Sequence, residues 1–351
     1  MPDASVEAAI AHWSPRFVTQ GVDPNDFKTV TSGLERWEEW LDAWCANGDM
    51  HAGLAREAEE AGRALSAGRA WVRAALGYHF AKFVWVLDPE RHRQATEQSV
   101  ASLRCAHRLL DPTAERIEVP FEGASLVGNL RRPPSVQRPA LVLLVPGLDS
   151  TKEEFFHWEQ VFLDRQMATL SMDGPGQGET GFSLPIRHDY EVPVAAMLDH
   201  LGDRRDLDLD RIGAVGVSLG GYYAPRAATF EDRIKAVVSV GGTYAMGPRF
   251  DTRPTISRQA LMYYMHTTSE DEARERSMQM SLEGVIDKLR QPLLVIFGKL
   301  DRLVPWQEGE RTASEAQNGK LVLYPEGNHV CNNLPYLYRP LAADWIGEQL
   351  R

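Results

Sequence analysis

The chain has 351 residues and a formal net charge of −11, with 43% hydrophobic and 25% charged residues. This length exceeds one ordinary domain and can bury a large core, so a main domain with an accessory region is expected. The acidic balance argues against nucleic acid or an anionic membrane as partner, and three scattered cysteines (Cys45, Cys105, Cys331) make neither a disulfide framework nor a zinc site, which suits a reducing cytoplasm.

Residues Met1 to Phe17 carry Asp3 and Glu7 and no unbroken apolar stretch, so they do not read as a signal peptide. No window approaches the roughly 20 apolar residues of a membrane span. Residues 1–115 read as helical. Leu34 to Trp44 sets Trp37, Trp40, Leu41 and Trp44 on one face, and His51 to Ala67 is rich in Ala, Glu and Arg. Ala70 to Leu87 is a mostly apolar helix ended by Asp88-Pro89, and Arg91 to Leu110 gives another, closed by Asp111-Pro112. Tyr78 and His79 on the apolar helix are candidate substrate contacts, although such side chains more often serve a core.

At about residue 116 the composition shifts. Arg116 to Phe121 and Leu126 to Arg131 read as an antiparallel pair around Glu122-Gly123. Ala140 to Val145 is an uninterrupted apolar run suited to a strand covered on both faces. Ala168 to Met172, Ile212 to Val217, Ala236 to Val240, Leu293 to Gly298 and Lys320 to Tyr324 complete eight strands, the last six mainly parallel with crossover helices. The predicted fold is α/β, an α/β-hydrolase sheet spanning residues 116–351. About fifty residues separate Val240 from Leu293, more than a crossover needs, and Thr255 to Leu289 reads as one or two amphipathic helices. A helical cap insertion is therefore expected at about 245–289, and the helical N-terminal region is expected to form a lid wall.

Gly216-Val-Ser-Leu-Gly-Gly221 lies where a strand turns into a helix, with glycines flanking Ser218 where side chains would block a tight turn. That context turns a common G-x-S-x-G pattern into a nucleophile elbow. Asp301 follows the strand Leu293 to Gly298, and His329 follows Lys320 to Tyr324. Singly, each has a bland reading, a loop-capping aspartate and a surface histidine. In the order Ser218, Asp301, His329, each beyond a strand end, they read as a catalytic triad. The Leu219 amide, and the Leu148 amide after the strand Ala140 to Val145, are the expected oxyanion donors. Asp173-Gly-Pro-Gly-Gln-Gly178 reads as a structural turn, because Pro175 removes an amide a phosphate loop needs. Trp306, beside the Asp301 loop, is a further candidate contact, and Cys331 reads as a small buried residue. The chemistry calls for a small-molecule substrate, no metal and no cofactor.

The segments Val145 to Glu154, Asp173 to Gly178, Gly216 to Gly221 and Gly327-Asn-His-Val-Cys-Asn-Asn333, behind a helical segment containing Tyr78-His-Phe-Ala-Lys-Phe83, resemble the family of 2,6-dihydroxypseudooxynicotine hydrolases, FrsA-like proteins and fungal polyketide-shortening hydrolases. The resemblance implies hydrolysis of a carbon–carbon bond next to a ketone, a cap made by the N-terminal helices and the insertion, and commonly a dimer. It also implies an auxiliary carboxylate after the strand Ala236 to Val240. Here Gly241 to Phe250 holds no acid and the first is Asp251, a departure from that pattern that argues against the specific pseudooxynicotine substrate; Asp251 is a candidate substrate contact. An ordinary carboxylesterase, or another acyl hydrolase acting on esters or amides, is the alternative that the triad alone supports.

Overall fold

The computed structural model describes residues 2–351. The chain divides into two compact units: Met1–Ala114 together with Glu153–His157, and Glu115–Lys152 together with Trp158–Arg351.

The first unit is helical: α1 (Ala4–Gln20), α2 (Pro24–Thr31), α3 (Trp40–Glu60), α4 (Ala64–Ala81) and α5 (Pro89–Leu110). Aspartates start three of them. Asp3 accepts from the amides of Ser5 and Val6, and Asp23 and Asp88 cap helices that begin on proline. The boundaries differ from the sequence reading. Trp37 sits in a short 3-10 turn, and one helix runs from Trp40 to Glu60 where the pattern suggested a break near His51. Gly62, at φ +69, makes the break instead. Asp88-Pro89 does follow the apolar helix, but its structural work is to begin α5.

The interior of this unit is aromatic. Phe17 stacks on Phe80 with centroids 3.8 Å apart, and Trp40, Trp44, Phe27 and Phe83 close around them. The indole N–H of Trp40 donates to the Phe80 carbonyl (2.9 Å), and that of Trp85 to the Trp37 carbonyl (3.0 Å). The Trp40 and Trp85 rings are therefore buried with their donors satisfied, whereas the Trp44 indole N–H is buried without an acceptor among the described residues.

The second unit carries β1 (Glu115–Phe121), β2 (Ala124–Arg131), β3 (Ala140–Val145), α6 (Phe156–Leu163, which starts in the segment grouped with the helices), β4 (Ala168–Asp173), α7 (Glu191–His200), β5 (Asp208–Val217), α8 (Gly220–Phe230), β6 (Ile234–Val240), α9 (Thr255–Tyr264), α10 (Glu270–Met278), β7 (Leu293–Gly298), α11 (Trp306–Glu315), β8 (Gly319–Tyr324) and α12 (Pro335–Gln349). All eight strands form one sheet in the order β1-β2-β4-β3-β5-β6-β7-β8. Strands β3 to β8 are parallel, and the β1–β2 hairpin joins antiparallel to β4. β3 and β7 are buried along their whole length, as continuous apolar runs covered on both faces require; β4 is equally buried although Thr169, Ser171 and Asp173 alternate with its apolar residues, and edge strand β8 stays partly exposed. β3 lies between β4 and β5, so the chain leaves it toward one side and returns on the other. The crevice beyond the carboxyl ends of β3 and β5 is thus the switch point where such sheets take ligands. Among the described residues no helix is long and apolar enough to cross a membrane.

Candidate active site

Ser218 stands at that switch point. The β5 ladder runs to Val217, paired with Val240, and the Ser218 amide adds one further bond to the Val240 carbonyl (2.9 Å). The backbone then turns sharply: Ser218 has φ +53, a left-handed conformation that serine seldom adopts. The turn closes because its flanks have no side chains. A Cβ on Gly216 would lie 1.9 Å from the Gly220 carbonyl oxygen, and one on Gly220 would lie 2.1 Å from that of Val145. Leu219 is the residue at the N-terminal end of α8, so its amide is among the donors the helix cannot satisfy itself.

Two other strand ends converge on the serine. Asp301 leaves β7 in a tight loop in which its Oδ1 accepts from the amides of Leu303 (2.8 Å) and Val304 (2.9 Å). The loop-capping role and the reach toward the histidine thus coexist, because Oδ2 accepts from Nδ1 of His329 at 2.7 Å. His329 Nε2 in turn lies 2.8 Å from Ser218 Oγ. The histidine sits in a strained turn, with Val330 at φ +59 and Cys331 at φ +53. Asn328 and Asn333 brace this turn by accepting from each other's amides, and the side chain of Asn332 donates to the His329 carbonyl (3.2 Å). A hydroxyl, an imidazole and a buried carboxylate therefore form one continuous hydrogen-bonded chain. This is the arrangement in which the imidazole can take a proton from the hydroxyl.

The loop after β3 runs alongside. A Cβ on Gly147 would lie 3.1 Å from the Ser218 Cβ, so the Gly147–Leu148 backbone passes directly by the serine. Its orientation is set by Gln177, a residue the sequence reading absorbed into a structural turn. Gln177 is buried, its Nε2 donates to the carbonyls of Pro146 (2.7 Å) and Gly147 (3.2 Å), and its Oε1 accepts from Gly174 N and Tyr190 Oη. In a trans peptide the N–H points opposite to the carbonyl, so the held Gly147 carbonyl turns the Leu148 amide away from Gln177. The amide-bearing side chain inside Asp173 to Gly178 was the only available signal. That glycine-rich segment leads into a 3-10 turn, Thr180–Phe182, and offers no long helix N-terminus for a phosphate. Its Asp173 is fully buried and holds Lys152 through the backbone amide and the ammonium, while Glu179 also accepts from Lys152. Burial would raise the Glu179 carboxyl, but Lys152 and Arg116 outweigh it and hold the group at about 2.

The remaining candidate contacts separate. Asp251 is exposed and committed to Arg274, with Oδ1 2.7 Å from Nη2, so the structure places this candidate contact in a surface ion pair. Trp306 is half-buried at the start of α11, with the Lys299 ammonium 5.6 Å from its ring centroid. Tyr78 and His79 belong to the helical unit's interior. The Tyr78 hydroxyl donates to Asp49 (2.6 Å), and Nε2 of His79 lies 3.2 Å from Oε2 of Glu154. Glu154, grouped with this unit, is held by the forked guanidinium of Arg16 at 2.7 and 2.6 Å. Burial favours the neutral forms, yet Arg16 and His79 keep the Glu154 carboxyl well below its ordinary value, while burial pulls His79 down. Cys331 is buried beside the Asp301 carboxylate, and its thiol is pushed up to about 12, which leaves it protonated and inert as a nucleophile.

An eight-stranded sheet of this order, with a serine on a glycine-flanked elbow after its fifth strand, is the architecture of an α/β-hydrolase, and this chain is one. A family model described as esterase FrsA-like matches residues 20–351. The chain belongs to that FrsA-like family. It is 30% identical over 348 residues to the 2,6-dihydropseudooxynicotine hydrolase of Paenarthrobacter nicotinovorans, covering 98% of this chain and 93% of that one. The crystal structure of a 2,6-dihydroxy-pseudo-oxynicotine hydrolase superposes with a TM-score of 0.87 at 31% identity, covering 96% and 95% of the two chains. The α/β-hydrolase gkaG of Penicillium citrinum is 33% identical over 242 residues, which is 64% of this chain and 56% of the fungal one.

Proposed function

We propose that the protein is a serine hydrolase in which Ser218, His329 and Asp301 act as a catalytic triad to cleave a carbon–carbon bond next to a ketone in an aromatic or polyketide-like substrate. The observation that carries the triad is the unbroken hydrogen-bonded chain Ser218–His329–Asp301 on three strand ends. The near full-length similarity to a pseudooxynicotine hydrolase supports the bond type. Ser218 Oγ attacks the carbonyl carbon while His329 takes the hydroxyl proton, and the Leu148 and Leu219 amides receive the oxyanion, each worth about 3 kcal/mol to the transition state. As the carbon–carbon bond breaks, its electron pair passes to the departing carbon and spreads into a hydroxylated ring or a second carbonyl. His329 then returns the proton to that fragment, and water releases the acyl group by the same relay. Asp301 keeps the imidazole in the tautomer this needs.

Ester hydrolysis is the second reading, favoured by the esterase description of the matching family. Ser218→Ala should abolish labelling by a fluorophosphonate and lower turnover by on the order of 10⁶ while the fold persists. A variant keeping a sizeable share of the rate would remove Ser218 from the role. Wild-type turnover of p-nitrophenyl esters, with no cleavage of acyl-phenols or β-diketones, would select the esterase. A cap role for the helical unit and the α9–α10 insertion, a cytoplasmic location and a homodimer belong to the same proposal. Light scattering tests the last.

A further inference from the structure

Arg253 lies in the segment between β6 and α9, and among the described residues its guanidinium has no acceptor. Its carbonyl accepts from Arg258 (2.7 Å), but among the described residues its guanidinium makes no hydrogen bond or ion pair, and its Nε is shielded from solvent. Burial pulls its pKa below the ordinary arginine value, yet the residue retains partial exposure. The charges that act on it are Glu308, Arg249 and Asp301.

Both carboxylates are engaged by other groups. Glu308 Oε2 accepts from Thr243 Oγ1 (2.6 Å) and the Tyr244 amide (2.7 Å), and its Oε1 faces Arg249 Nε at 3.4 Å. Asp301 Oδ1 holds the Leu303 and Val304 amides, and Oδ2 holds His329. The Arg253 guanidinium thus makes no pair with these carboxylates, and it lies within electrostatic reach of the one that orients the histidine. A buried arginine without a partner costs stability, and a planar guanidinium fits an anionic oxygen group in a forked, bidentate manner.

Resting on the triad reading above, we propose that Arg253 is a substrate-binding residue, and that the substrate carries an anionic oxygen, a carboxylate or an ionised phenol or enol, which this guanidinium receives. The insertion after β6, which lacks an acid before Asp251, would thereby select by positive charge.

The test compares matched substrates. One pair places the charge on the acyl half: the p-nitrophenyl monoester of glutaric acid against its methyl ester. The other places it on the departing half: the acetyl ester of 4-hydroxybenzoate against that of 4-hydroxybenzamide. Wild-type enzyme should favour the charged member of one pair by tenfold or more in kcat/KM, and that pair identifies the half Arg253 reads. Arg253→Met should lower the ratio by about 30-fold, and Arg253→Lys by less. Should Arg253→Met fail to fold, competitive inhibition by benzoate against benzamide in the wild type and Arg253→Lys supplies the same comparison. Absence of a charge preference in both wild-type pairs, or a ratio unmoved by the substitutions, would overturn the assignment. Turnover surviving in Ser218→Ala would instead sink the triad reading.

Discussion

The sheet unit closes chiefly on a lattice of aliphatic strands, with the pairs Lys152–Asp173 and Arg131–Glu159 buried beside them, whereas the helical unit closes on stacked aromatic rings around the buried pair Arg16–Glu154. Leu141 to Leu144 are wholly inaccessible and apolar, and their polar backbone is spent on the ladder. Phe17 and Phe80 are equally inaccessible, but around them stand Arg16, Glu154, His79 and His92, all nearly inaccessible. The two interiors imply a division of labour. The sheet holds the serine elbow and two loop ends in register, so changes there should act on rate. The helical unit depends on side-chain fit and on protonation state, so changes there should act on stability.

The largest expected effect is on rate alone. Asp301→Asn should lower kcat by about 10⁴-fold, because the amide presents a donor where His329 needs an acceptor. The urea midpoint should move little, since the remaining side-chain oxygen can still accept from Leu303 and Val304. A kcat within tenfold of wild type would break the assignment of Asp301. Next comes Phe80→Ala, which removes a stacked, inaccessible ring and should cost about 3–5 kcal/mol of stability by chemical denaturation. A smaller loss than about 1 kcal/mol would mean that the aromatic cluster is not what holds the helices.

Gly216→Ala sharpens the contrast from the other side, because here the sheet unit should lose both rate and stability. The new methyl would meet the Gly220 carbonyl, forcing the elbow to shift at about 1–3 kcal/mol, with kcat falling alongside. Unaltered kinetics would show that the elbow relaxes without moving Ser218.

The smallest effect is a difference in acid sensitivity. His92 is buried neutral, its pKa lowered to about 3 by burial and by Lys82, with Nδ1 donating to the Trp85 carbonyl (2.8 Å). Its stabilising contribution is whole above pH 6.5 and drains as pH falls below that value. Glu179, held at about 2 against an ordinary 4.5, contributes fully above pH 4.5 and loses its share only as pH falls from there toward 2. Of the nine tryptophans, Trp13, Trp37, Trp40, Trp44, Trp71 and Trp85 lie in the helical unit with α1 to α5, so their emission should change in the first acid step, together with part of the far-ultraviolet circular dichroism. His92→Asn, which keeps a donor, should delay the first change, and Glu179→Gln should flatten only the second. A single transition confined below pH 4.5 would refute the ordering.

How much was legible depended on which interaction decides each element. The apolar run Ala140 to Val145 and the order Ser218, Asp301, His329 could be read directly, because a strand covered on both faces needs unbroken apolar residues and an elbow needs glycines at fixed offsets. The break at Gly62, the 3-10 turn at Trp37 and the start of β5 at Asp208 could not, since ring packing and ladder partners far along the chain set them. Asp251 drew notice as the first acid after β6, yet Arg274 on α10 takes it. Gln177 and Arg253 drew none. The first matters through carbonyls about thirty residues away, the second through the acceptor it lacks. Sequence by itself determined the strands, the elbow and the chain order of the three polar residues, because these rest on local period and on residues with special backbone freedom. Only the tertiary structure decided which polar groups meet and which are left without a partner, because hydrogen-bond satisfaction is settled between segments that the chain does not place side by side.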